Sequence, residues 1–194
     1  RPVMRPLLLD YQDDPTTHTL DLQYMFGDDL IVAPVFTDEA DISVYLPAGR
    51  WIDYWSKDIH VGPGWIDVHA PLDTLPLFVR EGAIIPMGPE IQHADEKTLG
   101  PLTLDVYPAS EGAFVLLDEF APPVELSYRL ERDEFFLNVT GYRGQAEAIL
   151  NLVPAPWEVR VNGRKIDQWE VDERHVLVRF VADGSTELNL KFDL

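Results

Sequence analysis

The chain has 194 residues, of which 15 are basic and 34 acidic, so its formal net charge is −19. A field of that sign repels phosphate backbones and anionic membrane surfaces, which makes nucleic acid and membranes poor partners. Cysteine is absent, which excludes disulfides, thiolate nucleophiles and zinc–cysteine sites.

The N-terminal segment "PLLLD", residues 6–10, predicts a short strand whose unbroken apolar run is typical of burial on both faces. After it, Thr19 can cap a short helix, Asp21 would lie in its first turn, and Gly27 can end it. A strand buried on both faces needs parallel neighbours and crossover helices, and so short a segment cannot supply them. We therefore expect its partners to lie upstream.

The next part of the chain has a β pattern. Strands are predicted at residues 30–36, 42–46, 50–55, 65–68 and 77–86. The stretch 88–100, "GPEIQHADEKTLG", is polar and rich in turn residues, so it predicts a domain boundary.

The second half shows the period of two that a half-buried strand requires, as in residues 124–131. The same alternation predicts strands at residues 102–106, 135–139, 157–161, 176–180 and 188–194. Hairpin turns are expected at Asn162-Gly163 and Asp183-Gly184, and breaks at Glu111-Gly112 and Pro122-Pro123. This spacing predicts an antiparallel β-sandwich over residues 99–194.

Four segments carry a family resemblance. They are "RPVMRPLLLDYQDDP", "LDLQYMFGDDLIVAPVF", "VYLPAGRWIDYW" and "LPLFVREGAIIPMG", and they follow one another within residues 1–88. In this order they resemble the C-terminal part of family 31 glycoside hydrolases, which are retaining α-glycosidases. The run "DDLIVAPVF" followed by "LPAGRW" is most similar to the bacterial α-xylosidases.

The resemblance implies a mainly β fold with two consecutive antiparallel β-sandwich domains, proximal and distal, preceded by the last strand of a (β/α)8 barrel that is otherwise absent. Residues 1–26 would be the remnant of the last barrel strand and helix, 27–98 the proximal sandwich and 99–194 the distal sandwich. "PLLLD" would then be the eighth barrel strand.

The chemistry of a retaining glycosidase needs two carboxyl groups about 5–5.5 Å apart across the substrate. The family's nucleophile motif, like tryptophan-x-aspartate-methionine-asparagine-glutamate, does not occur in the sequence. Asp13-Asp14 and Asp28-Asp29 are adjacent pairs, which cannot oppose each other across a sugar. Asp10 lies at the end of the expected barrel strand, where active sites sit, although a capping or loop-fixing role explains it better. We therefore predict no catalytic residue in this chain.

No cofactor or metal site is predicted either, because the histidines at residues 18, 60, 69, 93 and 175 are scattered without metal-ligand spacing. Trp51, Tyr54, Trp55 and Trp65 form one aromatic concentration. Their rings could cover the apolar faces of sugars, but core or interdomain packing is the commoner role of such residues.

Two hypotheses follow. In the first, the chain is the non-catalytic C-terminal portion of a retaining α-glycosidase that hydrolyses terminal α-xylosides or α-glucosides, and it supports the catalytic barrel. In the second, it is an autonomous carbohydrate-binding β-sandwich module. The expected partners are an oligosaccharide bound through the parent enzyme, the missing barrel, and a second copy of the chain held by the exposed barrel remnant. The expected location is cytoplasmic.

Overall fold

The computed structural model describes residues 1–38, 40–89, 91–93, 101–117 and 122–193. The chain divides into two compact units, Arg1–Glu81 and Gly82–Leu194. Strands dominate both units, and the described residues contain no α-helix. The prediction of a mainly β fold built from two consecutive parts is confirmed. No helix in the described ranges is long and apolar enough to cross a membrane.

The first unit contains one six-stranded sheet in which every pair is antiparallel. Its strands are β1 (Met4–Pro6), β2 (Tyr24–Phe26), β3 (Leu30–Val32), β4 (Asp41–Asp53), β5 (Ile59–His69) and β6 (Leu77–Arg80). Their order across the sheet is β1-β2-β3-β6-β4-β5, so β1 and β5 are the edges. The two predicted strands 42–46 and 50–55 lie in the single strand β4, except for residues 54–55, which follow its end at Asp53.

The N-terminal elements differ from those predicted. Leu7–Leu9 form a 3-10 helix, and of these three leucines only Leu7 is buried, so the apolar run is not a strand covered on both faces. The expected helix after Thr19 is absent as well. A 3-10 helix spans Pro15–Thr19 instead, because the Asp14 side chain accepts from the Thr16 backbone N–H and a proline stands at its first position.

The β4–β5 hairpin is the longest pairing in the first unit, and a register shift between Leu46 and Gly49 interrupts it. Gly62 lies directly opposite this bulge. A Cβ there would stand 2.0 Å from the Pro47 carbonyl oxygen, so only glycine allows the two backbones to approach this closely.

The core of the first unit lies on the inner face of this sheet. Its buried residues are Leu7, Met25, Ile31, Ala33, Val44, Leu46, Trp51 and Phe78. Val44, Leu46 and Trp51 all come from β4, and Tyr45 and Ile52 of the same strand are buried as well.

The second unit holds a nine-stranded sheet. Its strands are β7 (Ile84–Met87), β8 (Leu102–Val106), β9 (Glu111–Leu116), β10 (Val124–Glu131), β11 (Glu134–Asn151), β12 (Pro156–Val161), β13 (Arg164–Lys165), β14 (Trp169–Val171) and β15 (His175–Phe192). The central order is β13-β12-β15-β11-β10-β9, while β8 pairs with both β7 and β11, and β14 pairs with β15. The β8–β11 pair is parallel, which the prediction of a purely antiparallel sandwich did not include.

Two long strands build both layers of this unit. β11 and β15 pair along nearly their whole lengths, with one register shift between Thr140 and Arg143. Beside the shift, Gly141 and Gly184 have φ of +87° and +106°, values that favour glycine. Inward residues before and after this bend, such as Leu137 and Ala148, belong to one hydrophobic cluster, so the sheet folds over on a shared core.

The predicted turns have mixed outcomes. Asn162 and Gly163 join β12 to β13 with positive φ at both positions, so this hairpin is confirmed. Asp183-Gly184 is wrong as a hairpin, because it lies inside the continuous strand β15, and Glu111-Gly112 is wrong as a break, because it begins β9. Strand period alone cannot distinguish a tight turn from a bend that keeps its pairing.

The first compact unit ends at Glu81. The run 77–86, expected as one strand, contains β6 in the first sheet and β7 in the second. The chain changes sheets at Glu81-Gly82, where Gly82 has φ of +99°. The expected boundary after residue 98 falls in the stretch 94–100, outside the described residues.

Candidate functional site

A buried charged contact in the first unit centres on Arg5, whose side chain is 3% exposed. Its Nε donates to Asp10 Oδ2 at 2.7 Å, and its Nη2 donates to Asp28 Oδ1 at 2.7 Å. Its Nη1 donates to the Pro2 carbonyl oxygen at 3.2 Å. All three guanidinium nitrogens therefore have acceptors, which a buried arginine requires.

Asp10, the carboxylate singled out by its position, is held by two arginines. While Oδ2 accepts from Arg5, Oδ1 accepts from Arg1 Nη1 at 2.9 Å, and the Asp10 side chain is 9% exposed. Both oxygens are engaged by cations, so this carboxylate fixes the N-terminal segment and is not presented to a substrate. Its geometry fits a loop-fixing role.

Arg80 forms the second half of the cluster. Its Nη2 donates to the Tyr11 hydroxyl oxygen at 2.7 Å, and its guanidinium carbon lies 5.1 Å from the centre of the buried Trp51 ring. Its Nε stands 3.5 Å from Asp29 Oδ1, yet this buried nitrogen has no hydrogen-bond partner among the described residues. Arg80 therefore interacts with Asp29 as a charge and with Trp51 through the ring face.

Burial controls the ionisation of the acidic groups next to Arg80. It raises the pKa of Asp29 above its ordinary value, with Asp28 adding to the rise and Arg80 opposing it. Burial likewise raises the pKa of the Tyr11 hydroxyl, against the lowering effect of Arg80. A cavity of about 350 Å³ opens over these groups, and both signs of charge line it. The charges within the cluster compensate one another.

Three of the four aspartates in the adjacent pairs have structural partners. Asp14 Oδ1 accepts from the Thr16 N–H at 3.0 Å, and Oδ2 accepts from the Tyr45 hydroxyl at 2.6 Å. Asp28 binds Arg5 and Asp29 faces Arg80. These partners show why aspartates recur here without forming an opposed pair.

Two of the histidines lie against oxygen atoms of their own unit. His69 Nδ1 lies 2.7 Å from Asp41 Oδ1, and His18 Nε2 lies 2.9 Å from the Gln12 carbonyl oxygen. Within the part of the chain that the structure describes, no three histidine or acidic side chains are grouped to hold a metal ion.

The aromatic residues of "WIDYW" and Trp65 separate into core and surface. Trp51 is fully buried and its Nε1 donates to the Pro47 carbonyl oxygen at 2.9 Å. Trp55 belongs to the predicted strand 50–55, but β4 ends at Asp53 and Trp55 lies exposed in the turn beyond it. Trp65 is also exposed.

Sequence reasoning missed the arginines that organise this cluster. Arg5 lies within "RPLLLD" and Arg80 within "LFVREG", two of the segments that carry the family resemblance. A positive charge inside an apolar run was the available signal, since an arginine in such a position needs a buried acceptor. Their acid partners could not be chosen among so many carboxylates.

The described residues form two units built from β-strands, and the buried Arg5 of the first unit is paired with aspartates. Residues 1–85 match the model described as the glycosyl hydrolase family 31 C-terminal domain. The chain therefore carries the C-terminal domain of glycoside hydrolase family 31, as the sequence motifs predicted.

Individual relatives agree with this assignment. The chain is 36% identical to an α-xylosidase of Saccharolobus solfataricus over 189 residues, which is 94% of this chain and 23% of that protein. It is 34% identical to α-glucosidase 2 of Bacillus thermoamyloliquefaciens over 121 residues, which is 61% of this chain and 15% of that protein. The chain thus matches at most about a quarter of the length of these relatives.

A solved structure shows the same fold. A family 31 dextranase of Flavobacterium johnsoniae, in complex with isomaltotriose, superposes with a TM-score of 0.88 at 28% identity. The match covers 98% of this chain and 29% of the dextranase.

Replacing Arg5 with glutamine is expected to lower the free energy of unfolding by about 3 kcal/mol, because it leaves the mostly buried Asp10 without its main counter-charge. Urea unfolding followed by tryptophan fluorescence measures the loss. Arg50→Gln is the matched control, since Arg50 is 48% exposed and pairs with Glu81, and its loss should stay below about 1 kcal/mol. Equal losses in both variants would show that Arg5 has no special role.

Asp29→Asn should make the fold less sensitive to rising pH. A raised carboxyl pKa means that the folded state favours the protonated form of Asp29. Asp29 therefore adds to the stability of the fold at pH values below its ordinary pKa, and this contribution disappears as the pH rises through the raised pKa. The melting temperature of the variant, relative to the unaltered chain, should therefore increase between about pH 3.5 and pH 7. The exposed Asp21, changed to Asn, is the control. A relative melting temperature that falls with pH would contradict the sign.

Proposed function

We propose that this chain is the non-catalytic C-terminal part of a retaining α-glycosidase, whose parent hydrolyses terminal α-xylosides or α-glucosides, and that it supports the catalytic barrel. The observation that carries the proposal is the α-xylosidase match, which runs along 94% of this chain but only 23% of the relative. Relatives named for xylosides, glucosides and dextran resemble the same region. Enzymes with different substrates share this region. Its role is therefore better explained by structural support of the barrel than by selection of the substrate.

The hydrogen-bond and ion-pair partners of the aspartates support the proposal that this chain alone is inactive. Retaining hydrolysis needs one free carboxylate as nucleophile and a second carboxyl group as acid, about 5–5.5 Å apart. Asp10 and Asp28 are ion-paired with arginine, and Asp14 accepts from a backbone N–H and a tyrosine hydroxyl. These groups hold the fold and are not available as such a pair.

An apolar face on the N-terminal segment supports the barrel-supporting role. Met4 and Phe26 are directly paired across β1 and β2, and both are exposed. Val3, Leu9 and Leu22 in the same segment are exposed as well. Exposed apolar side chains in such density are typical of a surface that another domain covers, and we assign the missing barrel as that domain. That residues 1–26 derive from the barrel's last strand and helix is part of this proposal, as is a cytoplasmic location for the parent.

The hydrolysis test uses the 194-residue chain with p-nitrophenyl α-xyloside and p-nitrophenyl α-glucoside. No release of nitrophenol above the buffer rate is expected, while the Saccharolobus α-xylosidase at equal molar concentration serves as the active control. A rate that scales with the concentration of this chain in repeated preparations would overturn the claim of inactivity.

The apolar face is tested by light scattering over a range of protein concentrations. We expect the unaltered chain to self-associate and Phe26→Asp to shift it toward monomer, because a charge within the face disfavours its burial. Leu72→Asp is the control, since Leu72 is fully exposed elsewhere in the first unit and the change should not alter association. A clean monomer of the unaltered chain would contradict the covered-face proposal.

A further inference from the structure

A second cavity in the first unit lies between the loop 10–15 and the β4–β5 hairpin. We name it the outer pocket; its volume is about 470 Å³, and residues Tyr11, Asp13, Asp14, Tyr45, Ala48 and Pro63 are among those that line it. The loop 10–15 forms one wall and the two strands form the floor. This volume falls within the roughly 300–1,000 Å³ of small-ligand sites.

Tyr45, which is 5% exposed, lines the outer pocket, and an aromatic surface continues beyond the edge of the pocket. Tyr45 and Trp65 are directly paired across β4 and β5, with ring centres 5.4 Å apart and planes at 59°. Pro63 lines the pocket and shares the outer face of β5 with Trp65, two residues further on. Trp65 is 55% exposed, so a broad apolar ring is open to a ligand that begins in the pocket.

The floor is held in place before any ligand arrives. The Tyr45 hydroxyl donates to Asp14 Oδ2 at 2.6 Å, which joins the floor to the wall. The Tyr45 backbone N–H donates to Gln23 Oε1 at 3.0 Å, and Gln23 Nε2 donates to the Tyr45 carbonyl oxygen at 2.6 Å. Gln23 is buried. Such preorganisation lowers the entropic cost of binding.

The wall supplies hydrogen-bond acceptors. Asp13 is exposed, and within the described ranges its carboxylate has no recorded protein donor, so both oxygens can accept from ligand hydroxyls. Hydrogen bonds to an ionised acceptor are stronger than neutral ones. The local carboxylates and the net charge of −19 disfavour anionic ligands.

Flat rings beside carboxylates suit a ligand with apolar C–H faces and many hydroxyl donors. We propose that the outer pocket binds a neutral pyranose oligosaccharide, with one sugar ring against Trp65 and the hydroxyls of the next directed to Asp13. The choice of an α-linked glucosyl or xylosyl chain rests on the proposed function. The surface would hold part of a glycan chain away from the bond that the parent cleaves.

The test follows the indole N–H signals of the five tryptophans by nuclear magnetic resonance while isomaltotriose is added. The signal that disappears in Trp65→Ala identifies Trp65. In the unaltered chain this signal should shift with a dissociation constant in the millimolar range, about 1–10 mM. Trp65→Ala should weaken the affinity, measured by calorimetry, at least about tenfold, and Asp13→Asn should weaken it by a smaller factor because it removes the charge from one acceptor.

Trp157→Ala is the matched control, since Trp157 is 53% exposed in the second unit and its loss should leave the affinity unchanged. Four unmoved indole signals in Trp65→Ala establish that this variant is folded. If the Trp65 signal does not move at about 20 mM isomaltotriose, or if Trp157→Ala weakens binding equally, the outer pocket is not a sugar site. Such a result leaves the hydrolysis and scattering outcomes untouched, so it separates failure of this site from failure of the proposed function.

Discussion

The bridge that Arg5 makes between Asp10 and Asp28 determines the organisation of the first unit. It joins the N-terminal segment to the turn after β2 and thereby fixes the position of Asp10. The loop 10–15 begins there, and Asp14 at its far end binds the Tyr45 hydroxyl. A buried guanidinium needs all its acceptors in place at once, so this bridge forms only when segments far apart in sequence have met.

The second unit depends on a different constraint, the continuous backbone pairing of β11 with β15. Inward side chains such as Leu137 and Ala148 repeat with period two on both sides of the bend, and the pairing resumes after a single register shift. Gly141 and Gly184 supply the backbone conformations that the bend needs. The layered core of this unit therefore follows from two strands, with the shorter strands added at their flanks.

The two proposals concern different surfaces of the first unit, one for contact with another domain and one for binding a sugar. Met4 and Phe26 give an apolar face without polar acceptors, which suits the packed surface of another domain. Trp65 and Asp13 combine an open ring with a charged acceptor, which suits a hydrated sugar better than a dry interface.

The sequence alone determined the mainly β class, most strand positions of the second half, the Asn162-Gly163 turn and the family, because alternation and turn chemistry are local and the motifs are long. It could not determine that residues 7–9 form a 3-10 helix, or that β6 and β7 enter different sheets, since an apolar run fits several backbone conformations. Nor could it choose partners for Arg5 and Arg80 among 34 acidic residues. Only the tertiary structure made those choices, because ion pairs and the Tyr45–Trp65 floor depend on which distant strands become neighbours.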